Sequence, residues 1–408
     1  MWDIRTITAD DADLFRSRLS RGFGRDSDDD DAARERFEAT FDFDRTFAAF
    51  DGDDIVGTCA AFSLGLTVPG GAEVPMGGTT IITVQPTHRR QGVLRRLMDR
   101  HLDEVADRDE PLAGLWASEA TIYGRFGYGQ ATHRHMAKIE NGGVVFRRPP
   151  EESTRVRLVE PDEAEKLLPP LYDSVRVTKP GMLTRSKEWW ASRIFADPES
   201  WRGGKSAHRY LVCDVDGAPA GYAIYRQDAK WDDFVATGEV DVVEVISSDP
   251  TAHLGMWSFL TNIDLFPKVS WWNMPLDDPL AVTITDTRKL RRTLSDALWI
   301  RLMDVAVALE ARSYECDGVV TFSIADRTRP ENEGTYRLEV ADGAASCSRT
   351  SDIAELSLDT EVLGHLYLGG GDALAMAAAG RLVGGHGPIA TLHRMFRTDS
   401  PPWCNEVF

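Results

Sequence analysis

Two widely separated stretches of this chain repeat one another, and the repeat constrains the fold more than any other feature. Asp51-Gly52 returns as Asp216-Gly217 at an offset of 165, and Gly57 and Pro86-Thr87 return as Gly221 and Pro250-Thr251 at an offset of 164. An Asp-Gly pair between apolar runs predicts a β-hairpin. Residues 48–50, Ile55, Val56 and 59–62 flank the first such turn, and residues 210–215 and 220–225 flank the second. The β-branched runs 79–84 and 242–246 read as buried strands. In the first copy helical apolar spacing follows from Gly92 to Val105, then a strand at Leu115-Trp116-Ala117 and a helical turn opened by Ser118-Glu119. A period of this length marks a duplicated folding unit, and 408 residues exceed what one hydrophobic core organises.

The rest of the chain, from near Arg291, has no repeat relation to the two copies. Its spacing predicts a helix over 298–310, capped by Ser295 or Asp296, and strands over 319–324, 335–340 and 344–349. Helices over 360–367 and 372–379 follow, separated by Gly369-Gly370-Gly371. The chain therefore reads as α+β with three domains, at 1–145, 146–290 and 291–408.

Only the first copy carries a basic loop. Between strand and helix it reads Gln85-Pro86-Thr87-His88-Arg89-Arg90-Gln91-Gly92, whereas the second copy has Pro250-Thr251-Ala252-His253-Leu254-Gly255, without the arginines. A strand that ends in a loop opening a helix leaves backbone N–H groups aimed at one spot, and the helix macrodipole adds positive charge there. Gly92 permits close approach of a phosphate, and Arg89 and Arg90 offer charge-assisted hydrogen bonds. The bland alternative is a solvated basic loop capping a surface helix. Neither GxxxxGK[ST] nor GxGxxG occurs, so P-loop and Rossmann phosphate sites are excluded.

The segment Arg89-Arg90-Gln91-Gly92-Val93-Leu94 resembles the acetyl-CoA loop R/Q-x-x-G-x-G/A of the GNAT N-acetyltransferases, with leucine at its last position. Residues 117–129, Ala-Ser-Glu-Ala-Thr-Ile-Tyr-Gly-Arg-Phe-Gly-Tyr-Gly, are similar to the ASEGxIYGRFGYG signature of the enhanced intracellular survival (Eis) acetyltransferases, which also accept a large residue at that loop position. The similarity continues through 66–70, 298–301, 308–312, 362–369 and the final phenylalanine, so essentially the whole chain is involved. The resemblance implies tandem GNAT folds, each a mixed sheet flanked by helices. The first would be catalytic and the second degenerate, with a sterol-carrier-protein-like α+β domain after them and assembly into homohexamers.

It also implies roles. Coenzyme contacts fall on Ile82, Thr83 and Val84, on Arg89, Arg90, Gln91, Gly92, Val93, Leu94 and Arg95, and on Ser118 and Glu119. Transfer of an acetyl group from a thioester to an amine needs an acceptor for the amine proton, an oxyanion donor and a proton donor for the thiolate. The Val84 N–H is the candidate oxyanion donor. Tyr123 matches the family's general acid, and Tyr128 reads as packing on the sheet. Phe408 matches the residue whose α-carboxylate serves as base in the family, with Glu406 as the runner-up. His133 and His135 alternate on one strand face and read as structural rather than metal-binding, so no metal is expected. His88 reads as capping or solvating the loop. The acidic run from Asp26 to Asp31 is either a solvated loop or part of the substrate rim.

A formal charge of −19, from 46 basic and 65 acidic residues, disfavours nucleic acid and favours cationic substrates. Five isolated cysteines with no CxxC pair, no signal-peptide pattern and no long apolar run give the expectation of a soluble, cytoplasmic protein without a membrane span. The expected function is acetyl-CoA-dependent N-acetylation of polycationic substrates, aminoglycoside-like small molecules or protein lysine amines. The alternative is a lipid- or small-molecule-binding protein that uses the C-terminal domain and keeps the GNAT folds as scaffold.

Overall fold

The computed structural model describes residues 2–26, 31–140 and 144–408, so most of the run from Asp26 to Asp31 lies outside the described residues. The first stretch forms β1 (Asp3–Thr6), α1 (Ala12–Gly22), α2 (Asp31–Thr40), β2 (Thr46–Asp51), β3 (Asp54–Thr67), β4 (Glu73–Val84), α3 (Val93–Asp107), β5 (Leu112–Trp116), α4 (Ala120–Tyr123) and β6 (Gly129–Gln130). The expected hairpin is β2–β3, and Gly52 in its turn has φ 61°, a conformation that glycine enters at little cost. The middle of the chain forms β7 (His133–Glu140), β8 (Thr154–Val159), α5 (Pro161–Arg176), β9 (Arg209–Val215), β10 (Ala218–Asp228), β11 (Glu239–Ser247), α6 (Pro250–Leu260), β12 (Lys268–Met274) and β13 (Leu290–Asp296). The last part forms β14 (Leu298–Leu302), α7 (Val305–Glu310), β15 (Gly318–Ala325), β16 (Gly334–Ala341), β17 (Ala344–Arg349), β18 (Leu356–Asp359), α8 (Thr360–Leu366), α9 (Ala373–Ala378), β19 (Val383–Gly384) and α10 (His386–Phe396).

The repeat is a repeat of topology. The first sheet has the order β1-β2-β3-β4-β5-β14-β6, and the second has β8-β9-β10-β11-β12-β7-β13. In each, three antiparallel pairings are followed by one parallel pairing, β4 with β5 and β11 with β12. Each parallel pair is joined through a helix, α3 or α6, because parallel neighbours need a crossover. The last strand of each copy is then exchanged: β7 joins the second sheet and β14 the first. Contacts accordingly gather into one unit of residues 1–132, 180–184 and 297–408 and another of 133–179 and 185–296. The boundaries at 145 and 290 read from the sequence leave β7 with the first domain and β14 with the third.

Helical spacing over 298–310 is corrected by the structure. Residues 298–302 are a strand, and only Val305–Glu310 is helical. All five residues of β14 are buried between β5 and β6, so the alternation that marks a half-exposed strand is missing. The helix is capped by Asp304, whose carboxylate accepts from the Val307 N–H at 3.0 Å, and not by Ser295 or Asp296.

The third sheet has the order β17-β16-β15-β18-β19 and belongs to the first unit. Its helix α8 lies against β6 and β14 so closely that a side chain on either facing glycine is excluded. A Cβ on Gly129 would stand 2.0 Å from the Glu361 carbonyl oxygen, and one on Gly364 would stand 2.1 Å from that of Ile300. Buried Arg312 donates to the Phe396 carbonyl at 2.9 Å and to that of Tyr367. Beyond α10 the chain stays packed: the Trp403 N–H donates to the Pro180 carbonyl at 2.8 Å, and Trp403, Cys404, Glu406 and Phe408 are buried. Among the described residues no helix is long and apolar enough to cross a membrane. Substituting Gly129→Ala should destabilise the protein by about 2–3 kcal/mol, because backbone and not a flexible side chain blocks the new methyl. Gly387→Ala, which has open space around it, should match the parent in a urea titration.

Candidate active site

The site begins with a fault in the first sheet. Thr58 pairs with Thr83 and Ala60 with Thr80, so Cys59 stands opposite both Ile81 and Ile82. This β-bulge puts Ile81 at φ 45°, a strained conformation for a β-branched residue. The Thr58 hydroxyl pins it by donating to the Ile81 carbonyl at 2.8 Å. Pairing between β4 and β5 covers only Met76–Leu112, Gly77–Ala113 and Gly78–Gly114, and beyond it the strands part. The Gln85 N–H points back to Val56 O at 2.9 Å. By strand alternation the Val84 peptide groups therefore face the opposite edge, where β5 has diverged.

Helix α3 starts beside this gap without a side-chain cap. Its N-cap residue is Gly92 at φ 85°, and the Arg96 N–H to Gly92 O bond, 3.1 Å, closes the first turn. The N–H groups of Val93, Leu94 and Arg95 have no intrahelical acceptor. The preceding loop is clamped by Trp2, which donates to the Gln91 carbonyl at 2.9 Å, and by the Gln91 amide, which donates to Thr87 O at 3.0 Å. His88 lies 3.3 Å from Asp51 and 2.8 Å from the Thr87 hydroxyl. Arg89 donates to Val84 O at 3.4 Å. Among the described residues Arg89, Arg90 and Arg95 form no ion pair, although the chain as a whole carries −19.

A cavity of about 1250 Å³ joins these groups. It is lined by residues 82–84, Arg89, Arg90, residues 92–95, Ser118, Glu119 and Tyr123. Gln91 and Phe408, both expected at the site, do not line it. Gln91 is turned into the loop clamp, and the Phe408 ring lies 3.2 Å from where a Cβ on Gly78 would stand. The sequence analysis missed the wall contributed by the third segment, which includes Asp326, Arg327, Thr328, Glu361 and Arg381. It also missed Arg125, which the signature around Tyr123 contains.

Tyr123 is buried, and burial raises its hydroxyl pKa while a hydrogen bond with the Ser118 side chain lowers it, with a net rise. The hydroxyl therefore keeps its proton at neutral pH. Behind it Tyr128 meets its ring edge-on at 6.3 Å and reaches the Thr79 hydroxyl at 3.0 Å. Thr79 is in turn 2.6 Å from Nε2 of the fully buried His101. Burial, with the Arg45 charge as the second cause, pushes His101 down to about 3, so its imidazole is neutral. Among the described residues His101 Nδ1 has no hydrogen-bond partner. A bare lone pair costs less there than an orphaned N–H, which assigns the proton to Nε2 as donor to Thr79. His133 and His135 lie on β7, where burial lowers both, and among the described residues no His/Cys/Asp/Glu group is placed to hold a metal.

The second unit shows the same helix start closed. The Asp249 carboxylate caps α6, accepting from Thr251 N at 2.6 Å and Ala252 N at 3.1 Å, and Pro250 lacks an N–H altogether. A fixed negative charge thus occupies the position that α3 leaves open.

Two sheets whose fourth strand parts from a parallel fifth beside a helix start define the fold of the GNAT acetyltransferases. Family comparison agrees: residues 3–131 and 181–302 each match an acetyltransferase (GNAT) domain, and residues 305–405 match a sterol carrier protein domain. An N-acetyltransferase of Streptomyces avermitilis is 38% identical over 381 residues, covering 93% of both chains. The N-acetyltransferase Eis of Mycobacterium bovis is 36% identical over 336 residues, 81% of this chain and 80% of that one. The crystal structure of Eis1 from Mycobacterium abscessus superposes with a TM-score of 0.83 at 27% identity and covers both chains completely. The chain belongs to the Eis-like family of GNAT N-acetyltransferases and is an acyltransferase. GNAT acetyltransferases generally use acetyl-CoA.

The buried His101 makes stability pH-dependent. Its folded pKa, about 3, lies below the unfolded value near ~6.5, so the unfolded chain takes up the proton first. Its contribution is complete above the unfolded pKa and is lost as pH falls towards the folded one, at up to about 1.4 kcal/mol per pH unit. Urea titrations from pH 7 to 4.5 should show this slope in the parent and a shallower one in His101→Gln. Identical slopes would remove His101 as the cause.

Proposed function

We propose that this protein is an acetyl-CoA-dependent N-acetyltransferase acting on amines of polycationic substrates, either aminoglycoside-like small molecules or accessible lysines. The observation that carries this reading is the uncapped start of α3 with three arginines that form no ion pair among the described residues, in one cavity with Tyr123 and the open edge of β4. The capped α6 supports it by contrast, since a helix start without a ligand gains from its own carboxylate. The division of labour in this reading is catalytic first domain, degenerate second domain and a third domain that brings the C-terminus. Outside the cavity, the acidic surface concentrates cationic acceptors. Homohexameric assembly belongs to the same reading through the family resemblance.

Acetyl-CoA supplies a thioester-activated acetyl group. The α3 amides with Arg89, Arg90 and Arg95 hold its pyrophosphate, and residues 82–84 offer strand hydrogen bonds to its amide-bearing arm. The Val84 N–H stabilises the oxyanion as the amine nitrogen bonds to the carbonyl carbon. Tyr123 donates a hydrogen bond, and finally a proton, to the sulfur as the C–S bond breaks. The α-carboxylate of Phe408, whose ring packs at Gly78 and not in the cavity wall, accepts the amine proton through water. Support for a positioned terminus is the burial of Trp403, Cys404, Glu406 and Phe408.

Release of free thiol from acetyl-CoA, with and without tobramycin, tests the reaction. Amine-dependent release is expected, and failure to bind acetyl-CoA at all would sink the proposal. Tyr123→Phe should lower kcat by about 10²–10³ with little change in KM for acetyl-CoA. Deleting Phe408 should abolish turnover while coenzyme binding persists, and full activity in that variant rejects the carboxylate role. At the helix start Gly92→Asp should weaken acetyl-CoA binding at least about tenfold relative to Gly92→Asn, since both accept the left-handed backbone and differ in charge.

A further inference from the structure

The third segment closes part of the cavity wall with a loop held at both ends. Asp326, 1% exposed, accepts from Arg301 at 2.5 Å, from the Thr328 and Arg329 N–H groups at 3.1 and 3.0 Å, from the Thr328 hydroxyl at 3.0 Å and from the Asn332 amide at 3.2 Å. Arg301, itself fully buried, also donates to the Phe126 carbonyl at 2.6 Å, three residues beyond Tyr123. On the other side Arg329 pairs with Asp103 of α3 at 3.0 Å. Between these anchors Arg327 lines the cavity, and among the described residues it makes no ion pair or hydrogen bond. Its neighbour in the wall, Arg381, is neutralised by Glu361 at 3.0 Å and Asp359 at 3.4 Å. An unpaired arginine on a pinned loop is ready to meet an anion without ordering cost.

We propose that Arg327 is the contact for the ribose 3′-phosphate of coenzyme A, so that the third segment completes the coenzyme site and sets its specificity. This rests on the acetyl-CoA reading above. In that reading the thioester is held at Val84 and Tyr123, and the α3 amides with Arg89 and Arg90 take the pyrophosphate. The remaining phosphate is a monoester carrying up to two charges at the far end of the molecule. The loop between Phe126 and the third turn of α3 is the stretch of wall away from the α3 start, and Arg327 is its free cation.

The test is calorimetric titration of the full chain with acetyl-CoA and with its 3′-dephospho form, using the parent, Arg327→Gln and Arg327→Lys. Arg327 is exposed, so these variants are expected to fold. The parent should prefer acetyl-CoA by roughly tenfold, as one charge-assisted contact provides. Arg327→Gln should bind both ligands alike, with its affinity for the dephospho form unchanged, and Arg327→Lys should keep part of the preference. A parent that binds both equally, a preference that survives in Arg327→Gln, or equal loss for both ligands overturns the assignment alone. A parent that binds neither overturns the acetyl-CoA reading and this one with it.

Discussion

The start of α3 is the constraint on which the rest of the structure depends. Among the described residues, three peptide N–H groups at the positive end of a helix dipole lack a protein acceptor, beside a strand edge that has lost its neighbour. With glycine at the N-cap, forgoing a capping side chain costs roughly a few tenths of a kcal/mol, and holding Ile81 in the left-handed region costs about 1–2 kcal/mol. The offset comes from the core beneath, where Met98, Leu102 and Val105 of α3 pack with Ala113, Leu115, Tyr123, Tyr128 and Trp299. Helix α6 shows the relaxed alternative. A single carboxylate at Asp249 satisfies the same groups, and the second unit keeps the fold without an open helix start.

The exchanged strand β14 explains why the third segment belongs to the same unit as the first sheet. Placed between β5 and β6, it carries Arg301 to the back of the turn that follows Tyr123, where it holds the Phe126 carbonyl and the Asp326 carboxylate together. A buried pair of this kind is poor evidence for stability, because desolvation offsets most of the attraction. What it provides is position: it fixes the turn of Tyr123 to the loop of Arg327. The close approach at Gly129 and Gly364 makes the same junction rigid. The cavity is therefore built by residues more than 200 positions apart, with α3 and α4 on one side and the third segment on another.

How much of this was legible in the sequence follows from the range of each signal. The β2–β3 turn, β4, α3 and the loop between them are written in local chemistry: Asp-Gly at a hairpin, a β-branched run, and glycine at a positive φ. The duplication was legible because turns and helix starts recur at one offset. Residues 298–302 were not, since a strand covered on both faces loses its alternation. The bulge was invisible because Thr-Thr-Ile-Ile-Thr-Val reads as uniform strand, and the strain at Ile81 arises only from the register with Thr58 and Ala60. Of the loop residues, Gln91 fits the coenzyme motif yet spends its amide and carbonyl on Thr87 and Trp2. Arg327 had no local signal, because its place is set by Arg301 and Asp103, both distant in the chain.

The chemistry proposed for Tyr123 is limited by the same burial that positions it. Burial raises its pKa above the ordinary tyrosine value and the Ser118 contact only partly counters this, so the hydroxyl keeps its proton at neutral pH. A free thiol ionises near ~8.5, below an ordinary tyrosine near ~10, so complete proton transfer to a departing thiolate runs uphill. Tyr123 therefore does most as a fixed hydrogen-bond donor to sulfur while the C–S bond is breaking, when charge is developing and the surroundings cannot reorganise. A donor in that role needs a constant direction more than a low pKa. The edge-on contact with Tyr128, itself tied through Thr79 to a neutral His101, gives that direction. A protonated histidine there would pull on Tyr128 and Tyr123 alike. Its suppression by burial keeps the polar column neutral from α3 to the cavity.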